Sequence, residues 1–126
     1  MQDRRLFPRY SFSSPVELRS RQGGHFDAQT SEISSVGIGL LMARTTVLAL
    51  AQGGPTLTTG DQFELIVAGA VDPYFGDSLR VDCRVGHVRR LSREQYLVGA
   101  LYADPSPAQE AEIAALVERA RPKVFR

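Results

Sequence analysis

Apolar and polar residues alternate along most of the chain between Phe12 and Tyr102, and short groups of Gly, Pro, Asp and Ser interrupt the alternation. Successive side chains on a strand point to opposite faces, so a period of two predicts strands with one buried face. The runs at 79–85 and 96–102 show it most clearly, with Leu, Val, Cys, Tyr and Ala on the predicted inner face. We therefore expect a mainly β fold.

Six segments carry this strand pattern, without the regular helical crossovers that parallel strands need. The predicted strands span residues 16–18, 25–33, 37–42, 62–68, 79–89 and 96–102. An antiparallel sheet of this kind can close on itself, and closure leaves no open edge. The prediction is a six-stranded antiparallel β-barrel, and a β-sandwich is the alternative.

The period changes near the C-terminus, where apolar residues recur every three or four positions between residues 113 and 120. That spacing predicts an amphipathic helix. The preceding Ser106-Pro107-Ala108-Gln109 offers an N-cap, a first-turn proline and a capping-box partner. We assign the helix to residues 106–121, before Pro122, and expect its apolar stripe to cover the mouth or the flank of the barrel.

The sequence does not decide the structure of two segments. Residues 43–60 fit either a short helix followed by a turn or a long loop of the kind that often carries function. Residues 69–78 contain Asp72-Pro73-Tyr74-Phe75-Gly76, whose aromatic side chains suit either a partner contact or the packed tip of a hairpin.

Length and charge restrict the domain count and the class of ligand. A chain of 126 residues with 43% apolar content fills one core, so residues 1–126 are expected to form one domain. A net charge of +1 argues against a binder of nucleic-acid polymers or membranes that acts through bulk charge. The positive charge is local, because residues 1–22 hold five arginines against Asp3 and Glu17.

Cysteine usage and hydropathy indicate the compartment. Cys83 is the only cysteine, and it falls among apolar strand positions where a small buried hydrophobe is expected. No apolar run approaches the roughly 18 residues of a membrane span, and no apolar signal-peptide core follows the N-terminal arginines. We expect a cytoplasmic domain without membrane insertion.

The residue types needed for catalysis or metal binding do not cluster in the sequence. His25 and His87 are far apart, with no Cys or carboxylate at metal-ligand spacing, so a metal site is not expected. A Ser34 nucleophile would need His87 as its base and an oxyanion hole, which nothing in the sequence supplies. We expect a binding protein rather than an enzyme, with no bound cofactor.

Two short motifs carry the strongest functional signal. The first is Arg4-Arg5-Leu6-Phe7-Pro8-Arg9, and the second, one strand later, is Glu32-Ile33-Ser34-Ser35-Val36-Gly37. Arginine presents a planar fork of donors that pairs with phosphate or a guanine edge and stacks on bases. In this order the motifs resemble the signature of PilZ domains, bacterial receptors for cyclic di-GMP. The resemblance extends along nearly the whole chain, through Gly39-Leu40, Gly60, Gly86-His87-Val88-Arg89 and Tyr96-x-Val98-Gly99.

The resemblance implies a six-stranded PilZ-like barrel (13–104) with a C-terminal helix, and a ligand on the outer surface of the barrel. A mobile arginine arm, residues 1–12, would fold over the dinucleotide. Arg5 and Arg9 would contact its phosphates and guanines, with Arg4 as a supporting contact. Ser34 and Gly37 would shape the opposing turn, and the bound state would be relayed to a protein partner.

Glu32 departs from the family pattern, and the direction of the His87 side chain depends on the local strand geometry. The family prefers Asp or Asn where this chain has Glu32. Its carboxylate could still accept from guanine N–H groups, although the added methylene would displace the base by about an ångström or more. Strict alternation would point His87 into the barrel, whereas a bulge at Gly86 would turn it outward and place Val88 inside. The apolar Val88 favours the bulge. An outward His87 could stack on a guanine or be an ordinary surface histidine.

A different class of function is a ligand-independent, PilZ-like adaptor in pilus or motility assembly, with residues 73–75 or the helix as its contact. Adaptors of that sort are expected to lack the arginine pair, which this chain has. Single-stranded nucleic-acid binding would need exposed aromatics interleaved with basic residues on one face, and the sequence offers no such pattern.

Overall fold

A computed structural model of the chain describes residues 7–68 and 78–122. Strands are the main secondary structure in these two ranges, and a short helix and a longer one are the other regular elements. In chain order the elements are β1 (Tyr10–Ser11), β2 (Pro15–Arg19), β3 (His25–Ile33), β4 (Gly37–Ala43), α1 (Arg44–Leu50), β5 (Gln62–Ala68), β6 (Ser78–Arg90), β7 (Gln95–Tyr102) and α2 (Pro107–Ala120).

Six of the strands close into an antiparallel barrel. Their order is β3-β2-β5-β6-β7-β4, and β4 pairs back onto β3, so the ring has no open edge. Every pairing is antiparallel. The predicted six-stranded barrel with a C-terminal helix is confirmed, and the sandwich alternative is wrong.

β1 is an extra strand that the alternation pattern did not predict. Tyr10 pairs with Ile33 and Ser11 pairs with Glu32, so the chain immediately after Arg9 is hydrogen-bonded along the end of β3. Two residues are too few to show a period, which is why the sequence analysis placed them in the N-terminal arm. Residues 1–6 of that arm, including Arg4 and Arg5, lie outside the described residues.

The inward faces of the strands form one hydrophobic core. Leu18, Leu40, Leu65 and Val98 are fully buried, and Phe63 is the largest of the completely enclosed side chains. α1 settles the open question at residues 43–60, because it is a helix that buries Val47 and Leu50 in the same core.

α2 packs beside the barrel against β6 and β1. Ser106 Oγ accepts from the Gln109 backbone N–H at 3.1 Å, and Gln109 Oε1 accepts from the Ser106 N–H at 2.8 Å, which is the predicted capping box. Ile113 and Leu116 are buried. Gln109 Nε2 also donates to the Arg80 carbonyl at 2.6 Å, so the same residue caps the helix and ties it to β6.

Cys83 faces the core as predicted and is completely buried. Burial raises the pKa of its thiol, and the charge of Asp82 raises it further, so the group stays protonated at neutral pH. Among the described residues, neither helix has the length and apolar character needed to cross a membrane. The predicted aromatic loop at 72–76 lies outside the described residues.

We expect Ser106→Ala to lower the free energy of unfolding by about 1 kcal/mol, because the Gln109 N–H loses its side-chain acceptor. Urea denaturation monitored by circular dichroism measures the change. Ser92→Ala in the exposed β6–β7 hairpin is the matched control, and it should stay within about 0.5 kcal/mol of the parent. Equal stability of the two variants would contradict the role assigned to the cap.

Candidate functional site

One cavity on the outer surface of the barrel brings together the predicted site residues that the structure describes. It has a volume of about 220 Å³ and lies across the outer faces of β3, β4, β7 and β6. Five residues predicted from the sequence line it, namely Arg9, Glu32, Ser34, Gly37 and His87. Arg4 and Arg5 lie outside the described residues.

The turn between β3 and β4 forms one wall, and the Ser34 hydroxyl holds it together. Ser34 Oγ accepts from the backbone N–H groups of Val36 and Gly37 at 3.3 and 3.2 Å and lies 3.3 Å from the Gly37 carbonyl, to which it donates. The side chain is buried. Its one donor and two acceptor positions are used inside the turn, so Ser34 shapes the wall from below.

Gly37 is required by a close approach of backbone to backbone. A Cβ atom at this position would overlap the carbonyl oxygen of Ala100 on β7. Among the described glycines, positive φ angles occur at Gly23 and Gly60, so Gly37 is in a conformation open to other residues. The missing side chain is what lets β4 begin against β7.

Arg9 and Glu32 form an ion pair at one end of the cavity. Arg9 Nη1 lies 3.2 Å from Glu32 Oε1, and the two side chains are 59% and 42% exposed. The pairing of Ser11 with Glu32 brings Arg9 to this position. An exposed pair of this kind contributes at most about 1 kcal/mol, so a phosphate group can replace the carboxylate at little cost.

His87 points outward at the other end. The register of β6 against β7 shifts between Val85 and His87, so that Val85 pairs with Ala100 and His87 with Gly99. Val88 is half-buried and packs against the core, while His87 is exposed. The predicted bulge at Gly86 is confirmed.

A line of glycines connects the two ends, and the sequence analysis did not assign it to the site. His87 pairs with Gly99, Gly99 with Gly39, and Gly39 with Glu32. With about 4.8 Å between neighbouring strands, the line is roughly 14 Å long. Glycine inside a strand marks a close approach of another group, and this signal, together with the strand order, would have identified the line.

Leucines flank this glycine line on both sides. Leu101 and Leu97 lie two positions either side of Gly99 on β7, so they share its outward face, and both line the cavity. Leu101 is 43% exposed. The result is a shallow trough with a backbone floor, apolar sides, an ion pair at one end and an imidazole at the other, which suits a flat, anionic ligand.

A second cavity, of about 310 Å³, lies on another face between β2, β3, β5 and β6. The basic side chains that line it already have partners: Glu17 Oε1 lies 2.5 Å from His25 Nδ1 and 3.4 Å from Arg19 Nε, and Arg21 Nη2 donates to Gln62 Oε1. The hydrogen bond from His25 holds the pKa of Glu17 below its ordinary value. None of the predicted ligand-binding residues lines it. The described ranges contain no cluster of three or more His, Cys, Asp or Glu residues that could hold a metal ion.

Comparison with known proteins identifies the family. The family model described as "PilZ domain" matches residues 3–119 of the chain. A search of the curated proteins found no match.

Solved structures share the fold at low sequence identity. The PilZ domain of YcgR from Escherichia coli, solved with c-di-GMP, superposes with a TM-score of 0.65 at 13% identity, covering 94% of this chain and 92% of that one. The PilZ domain of CeSA from a cellulose-synthesizing bacterium gives 0.61 at 17% identity, covering 89% and 96%. The MrkH–c-di-GMP complex of K. pneumonia gives 0.64 at 16% identity, and this chain, covered to 94%, spans 52% of the MrkH chain.

We expect Ser34→Ala to lower the free energy of unfolding by about 1–3 kcal/mol, because two turn N–H groups lose their acceptor. Urea denaturation measures the loss. Ser35→Ala is the matched control, since Ser35 is the exposed neighbour in the same turn. If both variants unfold at the same urea concentration, the Ser34 hydroxyl does not hold the turn.

Proposed function

Because the chain belongs to the PilZ domain family, we propose that it is a receptor for cyclic di-GMP. The observation that carries the proposal is the convergence of Arg9, Glu32 and the Ser34–Gly37 turn on one outward-facing cavity. Two of the structural neighbours, YcgR and MrkH, were solved with c-di-GMP. At 13% and 16% identity these neighbours support the fold alone, and the residues of this site support the ligand.

Each part of the site has a role in the proposal. The Arg9 guanidinium exchanges the Glu32 carboxylate for a ligand phosphate or a guanine edge, both of which suit its planar fork. Arg5 makes a second contact of the same kind, and Arg4 supports it. Glu32 then accepts from guanine N–H groups, while Ser34 and Gly37 fix the shape of the wall.

The proposed response is ligand-gated interaction without chemistry on the ligand. Binding closes the arginine segment over the trough, and the surface so formed recruits or releases a protein effector in the cytoplasm. The Ser34 hydroxyl is engaged inside its turn, which supports a receptor over a serine-dependent enzyme.

We expect isothermal titration to show saturable binding of cyclic di-GMP to the purified chain and no comparable binding of GMP or GTP. Arg9→Ala should weaken binding at least about tenfold, because a charge-assisted contact contributes about 1.5–3 kcal/mol. Arg93→Ala, which removes an exposed arginine from the β6–β7 hairpin, is the matched control and should bind like the parent.

Two results would contradict the proposal. Equal affinity of the parent and Arg9→Ala for cyclic di-GMP would exclude Arg9 from the site. A folded parent that gives no heat at high micromolar cyclic di-GMP would exclude the receptor and favour the ligand-independent adaptor.

We expect Glu32→Asp to tighten cyclic di-GMP binding by about two- to fivefold. The shorter side chain withdraws its carboxylate by about 1.5 Å from Arg9, which frees the guanidinium and keeps an anionic acceptor for guanine. The same titration measures the change. Asp27→Glu, an exposed carboxylate change near the start of β3, is the control. Weaker binding by Glu32→Asp would mean that the full reach of Glu32 is needed for the guanine contact.

A further inference from the structure

The imidazole of His87 occupies the space that a side chain on Gly99 would fill. A Cβ atom at Gly99 would come within 2.5 Å of Nδ1 and 2.7 Å of Nε2, with Cε1 closer still. No side chain larger than hydrogen fits at position 99 while the ring stays where it is. The ring therefore lies across the β7 backbone instead of extending away from the sheet.

The backbone under His87 is held from the other side as well. Gly60 N–H donates to the Val85 carbonyl at 2.9 Å, and Thr59 Oγ1 donates to the Gly86 carbonyl at 3.2 Å. The bulge is thus tied to the segment before β5, while β7 supports the ring. These contacts fix the backbone from which the His87 side chain extends and the β7 backbone on which its ring lies.

His87 lines the cavity together with Leu97 and Leu101. Since one side of the ring lies against the Gly99 backbone, the opposite face is the one open to a ligand. An exposed heteroaromatic ring with fixed support, flanked by apolar side chains, is the arrangement on which bases stack. Arg9, which the proposed function gives to phosphate or guanine, lies at the opposite end of the trough.

We propose that Gly99 is a positioning residue that seats His87 as the stacking surface for one purine ring of the ligand. The inference rests on the proposed function for the identity of the ligand. Stacking on an outward His87 is already expected from the sequence; what is new is the residue that positions the ring, Gly99, which belongs neither to the arginine motif nor to the β3–β4 turn.

A double-mutant cycle measures whether Gly99 acts through His87. We expect His87→Ala and Gly99→Ala each to weaken cyclic di-GMP binding roughly tenfold, as for loss of one stacked base. The double variant should bind no more weakly than the weaker single variant, because the added methyl group then displaces nothing. Gly53→Ala is the control, since a Cβ there meets no atom within 4 Å.

Two further substitutions separate stacking from hydrogen bonding and from misfolding. His87→Phe keeps an aromatic ring and should bind within about threefold of the parent, whereas His87→Asn keeps hydrogen-bonding groups and should match His87→Ala. Thermal melts of every variant confirm that the barrel is intact. Additive effects in the cycle, or equal affinity of the Phe and Asn variants, would overturn the inference.

NMR signals of the His87 ring test the stacking contact separately from the affinity measurements. The chain has two histidines, and His25 lies against Glu17 away from the trough, so it is an internal reference. We expect the ring protons of His87, and not those of His25, to shift upfield in NMR spectra when cyclic di-GMP is added. GMP at millimolar concentration should produce the same shift more weakly.

The outcomes are distinguishable. If the parent binds cyclic di-GMP and neither Gly99→Ala nor His87→Ala changes the affinity, the receptor stands and the stacking subsite is wrong. If the parent does not bind cyclic di-GMP, the proposed function fails, and the GMP titration decides the inference. A shift confined to His87 would then support a purine-stacking surface, and unshifted His87 signals would overturn it.

Discussion

β3 and β4 pair through the turn at residues 34–37, and this pairing joins the two ends of the strand order into a ring. The turn stays tight for two reasons. The Ser34 hydroxyl accepts from a backbone N–H group of the turn that would otherwise need water, and Gly37 has no Cβ to push β4 away from β7. Tyr102 ties it to the core from β7, since its N–H donates to the Val36 carbonyl at 3.1 Å. Without this closure the outer faces of β3, β4, β7 and β6 would not form one surface, and the trough would not exist.

Irregularities in two strands give that surface its functional side chains. The register of β3 against β4 shifts between Thr30 and Glu32, and the register of β6 against β7 shifts between Val85 and His87. A bulge changes the face on which the following side chain lies. Glu32 and His87 thus stand at opposite ends of the trough because each follows such a shift, while regular pairing between them leaves Gly39 and Gly99 on its floor.

The sequence predicts secondary-structure elements, because these depend on the local spacing of apolar residues. It does not predict contacts between residues on neighbouring strands, because these depend on strand order and register. Alternation identified the barrel strands, and helical spacing with the capping box located α2. The bulge at Gly86 followed from one apolar residue, Val88. β1 was too short to show a period, and α1, with seven residues, is only about two turns long, so residues 43–60 fitted a short helix or a loop equally well. The contacts between Arg9 and Glu32 and between His87 and Gly99 join residues that are far apart in sequence, so only the register of the folded sheet reveals them.

The glycine line also determines how this surface can change over evolutionary time. A pocket walled by side chains can be reshaped one residue at a time, but a floor made of bare backbone has no side chain to exchange. A Cβ atom at Gly39 would come within 2.6 Å of Ser31 Oγ and 3.0 Å of Glu32 Cγ, and one at Gly99 would overlap the His87 ring. The middle of the site can therefore change only together with the side chains of Ser31, Glu32 and His87, whereas its leucine sides can vary alone.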